Sequence, residues 1–312
     1  MQNTNLNQKQ SIKKTKIYNS KNEFVEISTD FGASIVNCYL QKQNTLYQVI
    51  KTDNNKEKYI EDYNKFYNQA KLSPFANRIA NGEYEFRAEK FKIFSNEKDT
   101  GHAIHGFLHN KKFNIASRQT NSISLYYEYA GDIKGYKYPY IIIITYTLTK
   151  QGLECKTEIE NLGKKTMPIA DGWHPYFNLD TLVDELFLKI PSQISLDRND
   201  TFIPNSKFIT NSKFKDFEKI GDSKFNDCFV LNDNTPIKNT VLWNKQKDIK
   251  LVVWQETGYR KYNYIQFFIP PDRQSIAIEP MTSAPDAFNN KMGLIVLDPN
   301  EKISIKYGFY IE

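Results

Sequence analysis

The stretch YPYIIIITYTLTKQGLECKTEIEN, residues 138–161, decides the fold. Its first half is dense in Ile, Tyr and Thr, residues that fit a pleated, half-buried surface. In its second half Leu153, Cys155, Thr157 and Ile159 alternate with Glu154, Lys156, Glu158 and Glu160. That is period two with one polar face, the pattern of a strand lying on a core. Lys150, Gln151 and Gly152 join the halves, so residues 138–160 read as an antiparallel hairpin with a short Gly-containing loop. The C-terminal KISIKYGFYI, residues 302–311, repeats the pattern, with Ile303, Ile305, Tyr307, Phe309 and Ile311 on one face. Asn81-Gly82 in IANGEYEF predicts a further hairpin turn, because both residues tolerate positive φ.

Helical periodicity is scarce. In KEKYIEDYNKFYNQA, residues 56–70, the residues Tyr59, Tyr63, Phe66, Tyr67 and Ala70 fall at helical spacing, with Pro74 beyond. A short helix or turn is expected around Phe214 and Phe217. No repeat, low-complexity tract or Pro/Gly-rich linker divides the chain. The expectation is one all-β, mostly antiparallel domain over residues 1–312, sheets packed face to face around an apolar core with few short helices, and residues from 1 to about 15 as a flexible N-terminal tail.

Composition agrees and excludes several classes. A chain of 312 residues with 40% hydrophobic content can bury a substantial core. The 20 Tyr and 21 Phe suit strands and also ligand-stacking pockets. The net charge of +6 is mild and its lysines are scattered, so no nucleic-acid partner is expected. The longest apolar run, IIIITY at 141–146, is too short to span a bilayer, and the polar N-terminus lacks the apolar core of a secretory signal. Cys38, Cys155 and Cys228 are odd in number and far apart, which predicts no disulfide framework and a cytoplasmic protein. Phosphate-loop, dinucleotide, zinc-protease and serine-hydrolase motifs are absent.

Three of the four histidines, His102, His105 and His109, crowd into TGHAIHGFLH at 100–109. On a helix the spacing would set them on one face as metal ligands. Gly101 and Gly106 break the segment, and an extended strand would turn His102 and His105 to opposite sides. No metal is expected there. Other polar residues stand among apolar neighbours: Arg78 before the Asn-Gly pair, His174 between Trp173 and Pro175, Asp227 in FNDCFV, and Glu279 at the end of SIAI. Each alone has a bland structural reading. Together, an acid, a base and several hydrogen-bonding groups on a β-scaffold suit a polyol, whose hydroxyls take planar polar partners and whose C–H faces stack on aromatics.

These motifs, in order, resemble the aldose 1-epimerase (galactose mutarotase) family. They are SPFANRIANGEYEF at 73–86, HAIHGF at 102–107, GWHPYFNL at 172–179, NDCF at 226–229 and IAIEPMTSAPDAFNN at 276–290. Residues from about 190 to 220 carry no such motif. The resemblance implies a large antiparallel β-sandwich of the galactose mutarotase-like type. It implies Glu279 as general base and His174 as general acid, with Arg78, His105, Asp227 and Asn77 holding sugar hydroxyls, and neither cofactor nor metal. The expected partner is a small sugar, a free hexose such as galactose or glucose; monomer and dimer both stay open. A phosphorylated or unusual sugar, or non-catalytic carbohydrate binding on the same fold, are the alternatives. Phe107 stands where familiar members have a second glycine, and Trp173 and Pro175 replace a polar pair. Both departures bear on the choice of sugar more than on the reaction.

Overall fold

The computed structural model describes residues 13–52, 56–231 and 235–312. The 138–160 hairpin forms as strands Tyr140–Leu148 and Leu153–Asn161, which sit inside a nine-stranded sheet. That sheet runs Asn114–Arg118, Ser122–Tyr129, Tyr140–Leu148, Leu153–Asn161, Lys302–Ile311, Ile249–Glu256, Ile237–Asn244, Phe187–Lys189 and Glu218–Lys219. The pairings along it are antiparallel. Its alternating apolar residues face a second, eight-stranded sheet. There the order is Pro204–Thr210, Ile194–Arg198, Asn226–Val230, Tyr264–Phe268, Ile276–Met281, Gly172–His174 and Ala70–Leu72, with Tyr176–Phe177 also paired to Ile276–Met281. Trp173 meets Tyr146 and Tyr307 across the gap at 6.0 and 5.9 Å between ring centres, and Phe177 meets Phe309 at 5.0 Å. The protein is therefore an all-β sandwich whose main core lies between two sheets. Lys14–Tyr18, Phe24–Ser28, Ile35–Lys42 and Thr45–Lys51 add a four-stranded antiparallel sheet in sequence order.

Several local expectations are corrected. The helix covers Lys56–Phe66 and buries Tyr59 and Tyr63, but Tyr67 takes φ +54° and ends it, so Ala70 opens a strand. Asn81-Gly82 is not a hairpin turn. Asn81 does adopt φ +53°, inside a 3-10 turn, and Gly82 is required because a Cβ there would lie 2.3 Å from the Ile93 carbonyl. The hairpin follows it, pairing Glu83–Phe86 with Glu89–Lys92, and turns on Arg87 and Ala88, both at positive φ. Phe214 lies in a turn. Of the tail expected over 1–15, residues 1–12 lie outside the described residues, and 14 and 15 belong to strand Lys14–Tyr18.

One polar group is sealed between the layers. Lys71 Nζ lies 2.5 Å from Asp171 Oδ2, both side chains fully buried. Tyr262 donates its hydroxyl to the same carboxyl oxygen at 3.0 Å, and the lysine rides 4.4 Å from the Trp173 ring centre. Breaking one half of such a pair strands the other in low dielectric. Lys71→Met is expected to cost about 3–5 kcal/mol in urea unfolding. Adding Asp171→Asn should recover much of that loss; an additive double mutant would show that the two side chains are not coupled.

Candidate active site

The far face of the eight-stranded sheet, away from the main core, carries the unusual residues. Strand Ile276–Met281 is buried on both faces. Ile276 and Ile278 enter the inter-sheet core, so the pleat turns Glu279 to the other side. Cys228, Gln266 and Glu279 are register partners across three adjacent strands and share that face. Gly172 pairs with Met281 antiparallel, which brings His174, two residues on, level with Glu279. The His174 Nε2 lies 3.4 Å from Glu279 Oε1. Tyr176 stacks on the imidazole at 4.9 Å.

Both groups are almost sealed, Glu279 at 1% and His174 at 5% exposure. Burial pushes the Glu279 carboxyl up to about 8, against a smaller opposing pull from Arg78. Burial pushes the His174 imidazole down to about 3. Each shift favours the neutral form, so across neutral pH the pair holds one proton, on the carboxyl. Glu279 Oε2 and His174 Nδ1 are buried without any hydrogen-bond partner. Unsatisfied buried polar atoms on an acid–base pair are free valences for a ligand.

Around the pair the backbone is bent to present donors. Asn77 and His105 both take left-handed φ, +57° and +63°, a conformation that non-glycine residues hold at a cost and that clusters at functional sites. The two residues clasp each other: His105 N–H donates to the Asn77 carbonyl at 3.0 Å, and Asn77 N–H donates to His105 Nδ1 at 3.3 Å. Gly106 permits this, since a Cβ there would fall 2.1 Å from the Ser73 carbonyl. With Nδ1 accepting, a neutral His105 carries its proton on Nε2. Burial and the nearby His174 and Arg78 hold His105 well below its ordinary range, so it stays neutral. Its ring stands edge-on to His174 at 5.2 Å. Arg78 is clamped by Glu97 through two bonds, 2.8 Å from Nε and 2.5 Å from Nη2, and its Nη1 reaches Asn77 Oδ1 at 3.3 Å. A bidentate fork of this kind fixes the guanidinium plane.

Glu279, His174, Arg78, His105 and Asn77 thus come together. Asp227 does not. Strand alternation turns it away from Cys228 and Asn226; it lies 3.7 Å from Arg198, a third exposed, in a separate depression with Ser195. Its neighbour Asn226 takes the inward position, accepting from Gln266 Nε2 at 3.0 Å, while Gln266 Oε1 accepts from Asn77 at 3.4 Å. Sequence reasoning passed over Gln266 and Asn226. The available signal was an amide in the apolar run YIQFF, and one residue's shift within NDCF. Glu97, Arg78's partner, has no motif to mark it.

The clustered histidines diverge. His102 Nδ1 accepts from Asn81 N–H at 3.0 Å, His105 faces His174, and His109 packs on Tyr63 and Tyr67. Among the described residues no group of three or more His, Cys, Asp or Glu converges as metal ligands would. Larger depressions exist elsewhere, one of about 490 Å³ lined by Leu153, Trp254 and Phe309. It holds no acid–base pair, and chemistry rather than size locates the candidate site.

A family model described as aldose 1-epimerase matches residues 14–310, nearly the whole described chain. The chain belongs to the aldose 1-epimerase family. The uncharacterised protein YihR of Escherichia coli (strain K12) is 25% identical over 246 residues, 77% of each chain. An aldose 1-epimerase of Haemophilus influenzae is 28% identical over 187 residues, covering 57% of this chain and 52% of that one. Among solved structures, a galactose mutarotase-like protein from Clostridium acetobutylicum superposes with TM-score 0.81 at 21% identity, covering 93% and 92% of the two chains. A GalM/aldose epimerase homologue from Caenorhabditis elegans gives 0.83 at 18%, covering 97% and 99%. At such identities the structures speak for the fold, and the aldose epimerase family assignment rests on the family model. No helix among the described residues is long and apolar enough to cross a membrane.

The raised Glu279 has a thermodynamic consequence. Unfolding returns it from about 8 to an ordinary 4.5, so the folded state keeps a proton that the unfolded state loses between those values. Its contribution is whole below pH 4.5 and is lost as pH rises to 8. The His174 contribution is lost instead as pH falls from 6.5 towards 3, and it is common to both proteins. Glu279→Gln should therefore gain stability over wild type between pH 6.5 and 8, by up to about 1.4 kcal/mol per pH unit. Denaturant titrations at the two pH values check this, and a gap that does not widen would refute the raised carboxyl.

Proposed function

We propose that the protein is an aldose 1-epimerase that interconverts the α and β anomers of a free hexose such as galactose or glucose. The observation that carries the reading is the sealed Glu279–His174 pair, 3.4 Å apart, the carboxyl protonated and the imidazole neutral, each with one unpartnered atom. Anomer exchange opens the ring, turns the aldehyde about C1–C2 and recloses it on the other face. It moves one proton off the C1 hydroxyl and one onto the ring oxygen, with no net gain or loss.

A pair with one proton has the right inventory for this. Passing that proton from Glu279 to His174 creates a carboxylate base and an imidazolium acid. Glu279 takes the proton of the C1 hydroxyl while His174 gives its proton to the ring oxygen, and the C1–ring-oxygen bond breaks as the carbonyl forms. On reclosure His174 recovers its proton from the attacking hydroxyl, and Glu279 returns one to the new C1 oxygen. The buried setting lets two groups of very different ordinary pKa trade a proton, as matched acid–base pairs do. Neutral His105 offers an Nε2–H donor, and clamped Arg78 with Asn77 supplies fixed donors that hold hydroxyls in place. Gln266 and Asn226 extend this planar amide array across the sheet, in the role the family resemblance implies for Asp227.

Polarimetry on freshly dissolved α-galactose and α-glucose tests the reading. Wild type should speed the decay of rotation, and Glu279→Gln and His174→Asn should each lose at least about 100-fold in kcat/KM, the usual scale of acid–base catalysis. Wild-type rates in both variants would sink the assignment. Corrected for the uncatalysed reaction, kcat/KM should fall above about pH 8, where Glu279 ionises and the pair loses its single proton. Glucose 6-phosphate in the same assay separates a free-hexose enzyme from one that selects a phosphorylated sugar.

A further inference from the structure

The hairpin whose tip packs on Arg78 lies in the part of the sequence without a recognisable motif. Strands Ile194–Arg198 and Pro204–Thr210 form it, and residues 199–203 are its tip. The tip is a small folded unit. Asn199 Oδ1 accepts from Thr201 N–H and Oγ1–H, both at 3.0 Å, and from Ile203 N–H at 2.9 Å. Phe202 N–H donates to the Asn199 carbonyl at 3.0 Å. Phe202 itself takes φ +66°, a region a bulky aromatic residue seldom enters. Its ring centre lies 4.7 Å from the guanidinium carbon of Arg78 and 4.7 Å from that of Arg198. Two cation–π contacts thus hold a backbone that would otherwise relax.

The seated ring fills the space beside Arg78. The cavity bounded by Asn77, Arg78, Arg198, Phe202, Asn226 and Cys228 measures about 10 Å³, room for a single water. A pyranose is many times larger, so it does not fit against Arg78 with Phe202 in place. The hairpin is hung to move. Its pairing with Asn226–Val230 is short, Ser195 opposite Phe229; its own register slips between Leu196 and Arg198; and its outer strand is exposed from Asn205 to Thr210.

We propose that Phe202 is the gate of this site: the tip 199–203 swings as a unit about the irregularity at 196–198, lifts the ring off Arg78, and admits a pyranose. The occupant rests on the epimerase reading above; the gate itself does not. In the open form Arg78 is bare on the side that faces the sugar, while Glu97 still fixes its plane. With sugar bound the ring returns only part-way, resting on a C–H face of the sugar instead of on Arg78, and shields the occupied site from bulk water. The gate thereby also selects, since a substituent projecting past Phe202 keeps the hairpin from seating.

Cys228 gives a readout that needs no sugar. It lines the cavity, whereas Cys38 and Cys155 lie in the main core at 0% and 1% exposure. The full chain is treated with methyl methanethiosulfonate, and labelling of each cysteine is followed by mass spectrometry, with Cys228→Ser as control. Phe202→Ala should label at Cys228 at least about tenfold faster than wild type, because a local opening has been made permanent. Phe202→Asn removes the ring but suits left-handed φ, and it should behave alike even where the alanine variant folds poorly. Equal rates in wild type and Phe202→Asn overturn the gate. So does acceleration that includes Cys38 and Cys155, which would report general loosening. A fast Cys228 in the variants that neither galactose nor glucose protects would leave the gate standing and count against the sugar reading alone.

Discussion

The Lys71–Asp171 contact is the constraint on which the site depends. Lys71 belongs to strand Ala70–Leu72, and Asp171 precedes strand Gly172–His174. Asp171 also exchanges two bonds with Thr282, its N–H donating to Oγ1 at 2.9 Å and its carbonyl accepting from Thr282 N–H at 2.8 Å. Thr282 follows the strand that bears Glu279. Trp173, on which the ammonium rests, donates its indole N–H to Thr157 Oγ1 in the nine-stranded sheet at 3.2 Å. The ion pair and the bonds that surround it therefore link three strands and tie them to the opposite layer. Burial drives Lys71 down and Asp171 up, and each partner's charge opposes that drive. An apolar replacement could match such a pair for stability. What it would not supply is the bond from Tyr262 and the ring contact of Trp173 that seat the pair beneath strand Gly172–His174.

The polar face behind that pair collects what a stable protein avoids. It holds a carboxylic acid and an imidazole in low dielectric, unpartnered buried atoms, and left-handed backbone at Asn77, His105 and Phe202. None of these helps the fold, and all of them make sense around a ligand that brings hydroxyl groups. The sandwich tolerates them because its main core lies on the other side of the sheet.

The sequence made the architecture legible because strand periodicity is a local property. Residues 138–160 and 302–311 announce their inward faces without help from the rest of the chain, and both lie in the nine-stranded sheet. The site was legible only in part. Glu279, His174, Arg78, His105 and Asn77 stand in stretches whose likeness to a family survives in order along the chain. Asp227 lies apart from the other five, and a four-residue motif gives no phase for the pleat that would tell it from Asn226. Which of Asn226 and Asp227 points inward is set by pairing to Tyr264–Phe268, a contact some forty residues away. Gln266 was passed over since an amide in a strand has many bland uses until its partners are known. Asn81-Gly82 correctly signalled positive φ, but the conformation serves a close approach to Ile93 rather than a hairpin.

The gate and the pKa values belong to one account. Glu279 rises and His174 falls because both are cut off from water, and the proposed gate extends that seal: the Phe202 tip packs on Arg78, whose charge acts on Glu279. With the tip lifted, water re-enters, the desolvation that keeps the pair neutral weakens, and the charge-separated form becomes cheaper. A sugar arriving in the open state would thus meet groups nearer to a carboxylate and an imidazolium, already disposed to exchange protons with its hydroxyls. Closure over the sugar then restores low dielectric around a pair whose free atoms are now occupied. The strain at Phe202, seated between Arg78 and Arg198, is what keeps the closed state from being too deep a minimum to leave. A fold with a rigid inter-sheet core can carry such a hinge because the moving hairpin sits at the sheet's edge, where almost nothing else depends on it.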